Sequence, residues 1–234
     1  MSSDLTPTRS GLHQIAVHVL ARRRFTVTGR FGLRPAPGGL ATPAFGPDDR
    51  LEVVRTSGRF LVLERGGDVR VEPITTLAAA AELVGVDLTA DLSVGADTPA
   101  QVPVDEPLRV DDADARMLAA WWAFGQTVID EVVATDPVPD APTVAQVWPE
   151  HFDLGCAVGA GGGRINLGAS PGDRYERAPY LYLGPWSGER PGDSRYWNAP
   201  FGAVLALSQI DHLTGAERRS HAIAFFREGL SRFP

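Results

Sequence analysis

Short β-rich runs, each ended by turn residues, are the feature that most constrains the fold of this chain. Residues 51–55, 59–64 and 68–73 are runs of this kind, and Ser57-Gly58 and Gly66-Gly67 separate them. Two-residue turns rich in glycine join neighbouring antiparallel strands, so this stretch predicts two consecutive hairpins in a meander. A further strand is predicted over residues 25–33, where apolar and polar residues alternate, and β character resumes between residues 144 and 186.

Helical patterns flank these strands. Residues 12–20 have apolar side chains at helical spacing, with Ser10 as the predicted N-cap and three arginines, Arg22 to Arg24, at the predicted carboxyl end. The other predicted helices cover residues 75–84 with a cap at Thr75 or Thr76, residues 112–133 with a cap at Asp111 or Asp112, and residues 217–233. Residues 201–210 fit a strand or a helix equally well. The fold class predicted is α+β, an antiparallel β-sheet with flanking helices.

The order of the elements favours two related α+β halves. Residues 93–109 contain three prolines and several acids without helical periodicity, which is typical of a linker. The predicted division is therefore 1–92, the linker 93–109, and 110–234. Gly29–Leu33 resembles Gly163–Leu167, and each half reads as helix, strands, then helix, so the halves are interpreted as a pseudo-repeat. Whether they share one sheet or one core stays open at this point.

Composition excludes several functions. The 22 basic residues are all arginine, and chains without lysine cannot use a P-loop, a protein-kinase site or a Schiff base. The net charge of -7 argues against nonspecific nucleic-acid binding, which depends on clustered cations. No apolar run approaches the ~18 residues of a membrane span, and the first residues do not resemble a signal peptide. The single cysteine, Cys156, excludes an internal disulfide, so we expect a cytoplasmic protein.

The sequence WPEHFDL at residues 148–154 is followed by SPGD at 170–173 and PYLY at 179–182. Over residues 147–186 this order resembles a signature of a family of functionally uncharacterised actinobacterial proteins. The resemblance implies no activity, cofactor or partner.

Residues 148–201 contain all four tyrosines and three of the five tryptophans. Tyr180 and Tyr182 would project from one face of a strand, and aromatic side chains with polar tips line many small-ligand pockets. Packing in the core of a small sheet is the alternative explanation. The candidate ligand-binding residues are Trp148, His151, Asp153, Asp173, Tyr180, Tyr182 and Trp186.

His151-Phe152-Asp153 also fits the H-x-D half of a non-haem iron site, if both ligands project from one face of a strand. His212 would be the third ligand. Three hypotheses follow: a binding protein for a small ligand, without a cofactor; an enzyme using a divalent metal held by these three residues; and an interaction module that presents exposed aromatics of residues 175–197. Neither nucleic acid nor membrane is an expected partner, and the oligomeric state is left open.

Overall fold

The computed structural model describes residues 4–95, 97–135, 142–160 and 163–232. Its helices are α1 (Thr6–Ile15), a π-helical segment (Ala16–Ala21), α2 (Arg22–Thr28), α3 (Leu77–Val84), α4 (Asp112–Thr135) and α5 (Gly215–Ser231). Its strands are β1 (Arg34–Ala36), β2 (Gly39–Ala41), β3 (Glu52–Ser57), β4 (Phe60–Arg65), β5 (Asp68–Pro73), β6 (Gln146–Trp148), β7 (Asp153–Ala160), β8 (Gly163–Ser170), β9 (Tyr180–Pro185) and β10 (Ala203–Ala206). None of the described helices is long and apolar enough to cross a membrane.

The strands form two five-stranded sheets built from antiparallel pairs. One sheet has the order β1-β2-β3-β4-β5, and the other has the order β10-β9-β8-β7-β6. The predicted α+β class is therefore confirmed, as is the meander that β3, β4 and β5 form. Two sheets of similar size are compatible with pseudo-repeated halves. The short sequence match does not lie in matching elements, however, because Gly29 ends α2 whereas residues 163–167 lie within β8.

The first helix is longer than its sequence pattern predicted. It begins at Thr6 rather than after Ser10, and it continues through the π-helical segment to Thr28, where Gly29 caps it in the left-handed conformation. The strand predicted over residues 25–33 is therefore wrong, and so is the placement of the three arginines at the helix end. All residues of the π-helical segment are buried. A helical segment that is buried on all sides shows no amphipathic pattern, so the pattern over residues 12–20 did not predict the full length of this helix.

By its contacts the chain divides into two units. The first unit comprises residues 1–120 and 147–152, and the second comprises residues 121–146 and 153–234. Residues 93–109 lie within the first unit, and the division predicted from their composition stays a prediction. In the first unit Leu33 and Val147 exchange two backbone hydrogen bonds of 2.9 and 2.8 Å, and both side chains are fully buried.

One face of the β7–β8–β9 sheet forms the core of the second unit. Leu154, Ala169 and Leu181 are fully buried on that face and pair across the three strands. α4 packs against them at Gly125, where an added Cβ would lie only 2.4 Å from the Cβ of Ala169. The opposite face of the same strands presents Ser170, Gly168 and the tyrosines of β9, because side chains alternate along a strand.

Candidate functional site

Four of the predicted ligand-binding residues meet in the second unit. Tyr180 and Tyr182 project from the same face of β9, as predicted, and their rings lie 6.2 Å apart. The Tyr182 hydroxyl donates to Asp153 Oδ2 at 2.5 Å, and the Tyr180 hydroxyl donates to Asp173 Oδ2 at 2.6 Å. We call Asp153, Asp173, Tyr180 and Tyr182 the Tyr–Asp cluster.

The position of Tyr182 in the Tyr–Asp cluster depends on a glycine of the neighbouring strand, β8. An added Cβ at Gly168 would lie 2.2 Å from the Tyr182 ring, so only glycine lets this ring cross β8. Burial raises the pKa of Tyr180 and of Tyr182 above the ordinary phenol value, and the neighbouring carboxylates raise it further. Both phenols therefore stay protonated near neutral pH and act as hydrogen-bond donors to carboxylates of their own cluster.

The remaining predicted ligand-binding residues lie elsewhere. Trp148 ends β6 and is 41% exposed, and His151 occupies a turn in the first unit, where its Nδ1 is 3.6 Å from Asp97 Oδ2. Trp186 is 65% exposed at the end of β9 and donates its indole N–H to Asn166 Oδ1 at 2.8 Å.

The strand geometry expected for the predicted metal ligands is not observed. β7 begins at Asp153, so His151 lies in the preceding turn, and the expectation that both side chains share a strand face is wrong. His212 is exposed, with its Nδ1 3.9 Å from Asp211 Oδ1. Within the ranges that the structure describes, no group of three or more His, Cys, Asp or Glu side chains could hold a metal ion.

The first unit contains a cavity of about 560 Å³ that the sequence did not indicate. His18, in the π-helical segment, and Arg22, the first residue of α2, form one side of it. The other side consists of residues from the loop after α3, namely residues 88–93, 95 and 98–101. π-Helical turns occur frequently at functional sites, because they displace side chains from the regular helix surface.

Three polar side chains of the helix hold this loop in place. They are spaced four residues apart, and each donates a hydrogen bond to a backbone carbonyl of the loop. The pairs are Gln14 Nε2 with Ala100 (2.9 Å), His18 Nε2 with Pro99 (3.2 Å) and Arg22 Nη1 with Ala90 (2.7 Å). We call residues 87–95 and 97–101 the tethered loop.

Arg22 is a buried cation whose charge is not neutralised by a direct ion pair. Only 6% of Arg22 is exposed, and its Nη1 bonds the carbonyls of Asp87 and Ala90. Among the described residues, Nε and Nη2 have no hydrogen-bond partner, and no carboxylate lies within ion-pair distance. Burial lowers the pKa of Arg22, and the nearby charges of Asp87 and Asp91 oppose that shift. An arginine remains protonated at neutral pH even so.

His18 is the neutral neighbour of this cation. Only 3% of His18 is exposed, and burial lowers its pKa, with a smaller effect in the same direction from the charge of Arg22. Because the Pro99 carbonyl can only accept, Nε2 carries the proton, and Nδ1 of the neutral ring is an acceptor. Nδ1 is buried and has no partner in the described part of the chain.

Comparison of the chain with protein-family models, with curated proteins and with solved structures finds no match. The assignment of a function therefore rests on the geometry of the site.

A second cavity in the first unit contains arginines that are paired with a carboxylate. Its volume is about 160 Å³, and Arg23, Glu52 and Arg65 are among the residues that line it. Glu52 is 4% exposed and accepts hydrogen bonds from both arginines at 2.7 Å. Arg23 and Arg65 therefore share a carboxylate partner, whereas Arg22 in the larger cavity has no ion-pair partner among the described residues.

Sequence reasoning missed His18 and Arg22 because it assigned Arg22 to an exposed helix end. A usable signal was present, since Gln14, His18 and Arg22 repeat at intervals of four residues and the residues between them are all apolar. Polar residues at that spacing share one helix face, and a polar stripe on a buried helix needs partners.

Proposed function

We propose that this protein binds a small polar ligand in the cavity between the first helix and the tethered loop. The observation that carries the proposal is the pair of buried side chains, His18 and Arg22, that line a cavity of about 560 Å³. Each keeps a buried polar atom without a hydrogen-bond partner among the described residues. Ligand sites are commonly cavities of about 300 to 1,000 Å³ with a few convergent polar groups.

The Tyr–Asp cluster is a weaker basis for ligand binding, and the aromatic pocket expected there stays a prediction. Both hydroxyls already donate to carboxylates, at 2.5 and 2.6 Å, and Tyr180 is 3% exposed. A ligand would therefore have to replace hydrogen bonds that the cluster makes internally. The cavity beside Arg22 offers donors without such competition.

Filling the cavity tests the proposal. Ser93 lines the cavity and is exposed, so a tryptophan at this position adds bulk to the cavity wall without replacing a core residue. We expect members of a panel of polar small molecules to raise the melting temperature of the wild-type chain and to shift backbone amide signals of residues 88–101 in NMR spectra. Ser93→Trp should abolish both effects.

Ser187→Trp is the matched control, because Ser187 is exposed in the second unit and lines neither described cavity. This variant should bind as the wild type does. Binding that survives in Ser93→Trp, or that shifts signals only outside the tethered loop, would place the ligand elsewhere and contradict the proposal.

A further inference from the structure

We infer that the ligand of this cavity carries an oxyanion, a carboxylate or a phosphate, and that Arg22 binds it. This inference rests on the proposed function and names the ligand class. The geometry points to the guanidinium edge formed by Nε and Nη2. Arg22 bonds loop carbonyls only through Nη1, so this edge has no partner among the described residues. It is the edge that takes a carboxylate or a phosphate in a two-point contact.

In the neighbouring residue, Arg23, the edge formed by Nε and Nη2 binds a carboxylate. Arg23 donates from Nε to Glu52 Oε1 at 2.7 Å and from Nη2 to Glu52 Oε2 at 2.9 Å. Arg22 and Arg23 are successive residues of one helix and line different cavities. In the smaller cavity the protein supplies the carboxylate itself, whereas no carboxylate of the described residues forms an ion pair with Arg22.

The unpaired positive charge of Arg22 favours the binding of one oxyanion. A buried cation without an ion-pair partner is unfavourable relative to the same cation in water, and an oxyanion at the free edge would remove that penalty. His18 is neutral and adds no second positive charge. Asp91 lines the same cavity and is exposed, so its negative charge opposes the entry of an anion.

Three probes of similar ring size test the inference with the full chain: benzoate, phenyl phosphate and the neutral benzamide. The readout is the Nε–H signal of Arg22 in ¹H–¹⁵N spectra, which is identified by its loss in Arg22→Lys. We expect at least one of the two anions to shift this signal saturably at millimolar concentration, and benzamide to leave it unchanged. The anion that binds with the higher affinity shows whether the site prefers a carboxylate or a phosphate.

Arg22→Lys loses a hydrogen bond to the tethered loop and could fold poorly. A second variant, which changes a charge beside Arg22, therefore tests the inference without altering Arg22 itself. Asp91→Asn removes the opposing charge and leaves the bonds of Arg22 in place, so it should strengthen anion binding about threefold. Asp105→Asn is the control, because it makes the same change in net charge at an exposed residue that does not line the cavity. The affinity of Asp105→Asn for the anions should equal that of the wild type.

The outcomes separate this inference from the proposed function. If benzamide binds as well as the anions, or if Asp91→Asn and Asp105→Asn behave alike, Arg22 only tethers the loop and the oxyanion inference fails. The proposed function then still stands, provided that Ser93→Trp blocks the binding of neutral compounds. If neither anion shifts the Arg22 signal at about 20 mM, the oxyanion inference fails as well.

Discussion

His13 is kept neutral by its surroundings in the first unit. Its Nε2 donates to the carbonyl of Pro149 at 2.8 Å, and its ring stacks on Phe152 with the centroids 4.8 Å apart. Burial lowers the pKa of His13 from 6.5 to about 4, although the hydrogen bond to Pro149 acts in the opposite direction. At pH values between these two, the unfolded chain binds a proton at this position and the folded chain does not.

This difference in proton binding predicts that the free energy of unfolding falls as the pH falls from about 6.5 toward 4. Between about pH 7 and pH 5 the contribution of His13 is at most about 2 kcal/mol. His13→Gln should therefore lose correspondingly less stability than the wild type over that range in urea unfolding. His18 acts in the same direction, so the variant keeps part of the pH dependence.

His221→Gln serves as the control, because His221 is exposed on α5, and this variant should follow the wild-type pH profile. Equal pH dependence in His13→Gln and the wild type would show that His13 does not resist protonation in the folded chain.

At the scale of elements, the contact between α4 and its sheet depends on the absence of a side chain at Gly125. Glycine in a helix interior usually costs about 1 kcal/mol relative to alanine, so Gly→Ala normally stabilises. At Gly125 the added Cβ would lie 2.4 Å from the Cβ of Ala169, an atom that no side-chain rotation can move away. Gly125→Ala should therefore destabilise the chain by about 1–3 kcal/mol in chemical denaturation.

Gly215→Ala provides the comparison within another helix. Gly215 is the first residue of α5, and an added Cβ there meets no atom within 4 Å. Its stability should equal or slightly exceed that of the wild type. A Gly125→Ala chain as stable as Gly215→Ala would mean that α4 sits farther from the sheet than described.

Elements with local signals were predictable from the sequence. The hairpins of β3, β4 and β5 follow from glycine turns. α3 begins after Thr76, whose hydroxyl accepts from the N–H of Ala79, and Gly85 caps its carboxyl end. Residues 25–33 were mispredicted because their alternation is also compatible with the exposed end of a helix, where Phe25 stacks on Phe31 at 4.1 Å. Alternation indicates a strand only when another strand is available to pair with it.

The candidate site was predictable only in part. The shared face of Tyr180 and Tyr182 follows from the two-residue period of a strand, but their carboxylate partners depend on strand register. The cavity beside Arg22 required knowledge that a loop some 80 residues further on packs against the first helix. The spacing of Gln14, His18 and Arg22 indicates that this helix face needs polar partners, but only tertiary packing determines which segment supplies them.

At the scale of the whole molecule, the first unit is discontinuous in sequence, because it includes residues 147–152. Val147 is fully buried and pairs with Leu33 through two backbone hydrogen bonds. Val147→Ala should destabilise the first unit by about 2 kcal/mol and speed hydrogen exchange at the Leu33 amide and through the first helix.

Val144→Ala removes the same atoms from a side chain that is 85% exposed, so it should leave both stability and exchange unchanged. If Val147→Ala leaves exchange in the first helix at the wild-type rate, residues 147–152 are not part of the cooperative unit that contains that helix.

The pairing of Leu33 with Val147 also sets an order of events during translation. Domains generally fold as they emerge from the ribosome, beginning at the amino end. A nascent chain that ends at Ala120 contains all of the first unit except residues 147–152. Leu33 can pair with Val147 only after the ribosome has translated residues 121–146, which belong to the second unit. The amino-terminal unit of this protein is therefore completed only after synthesis of the other unit has begun.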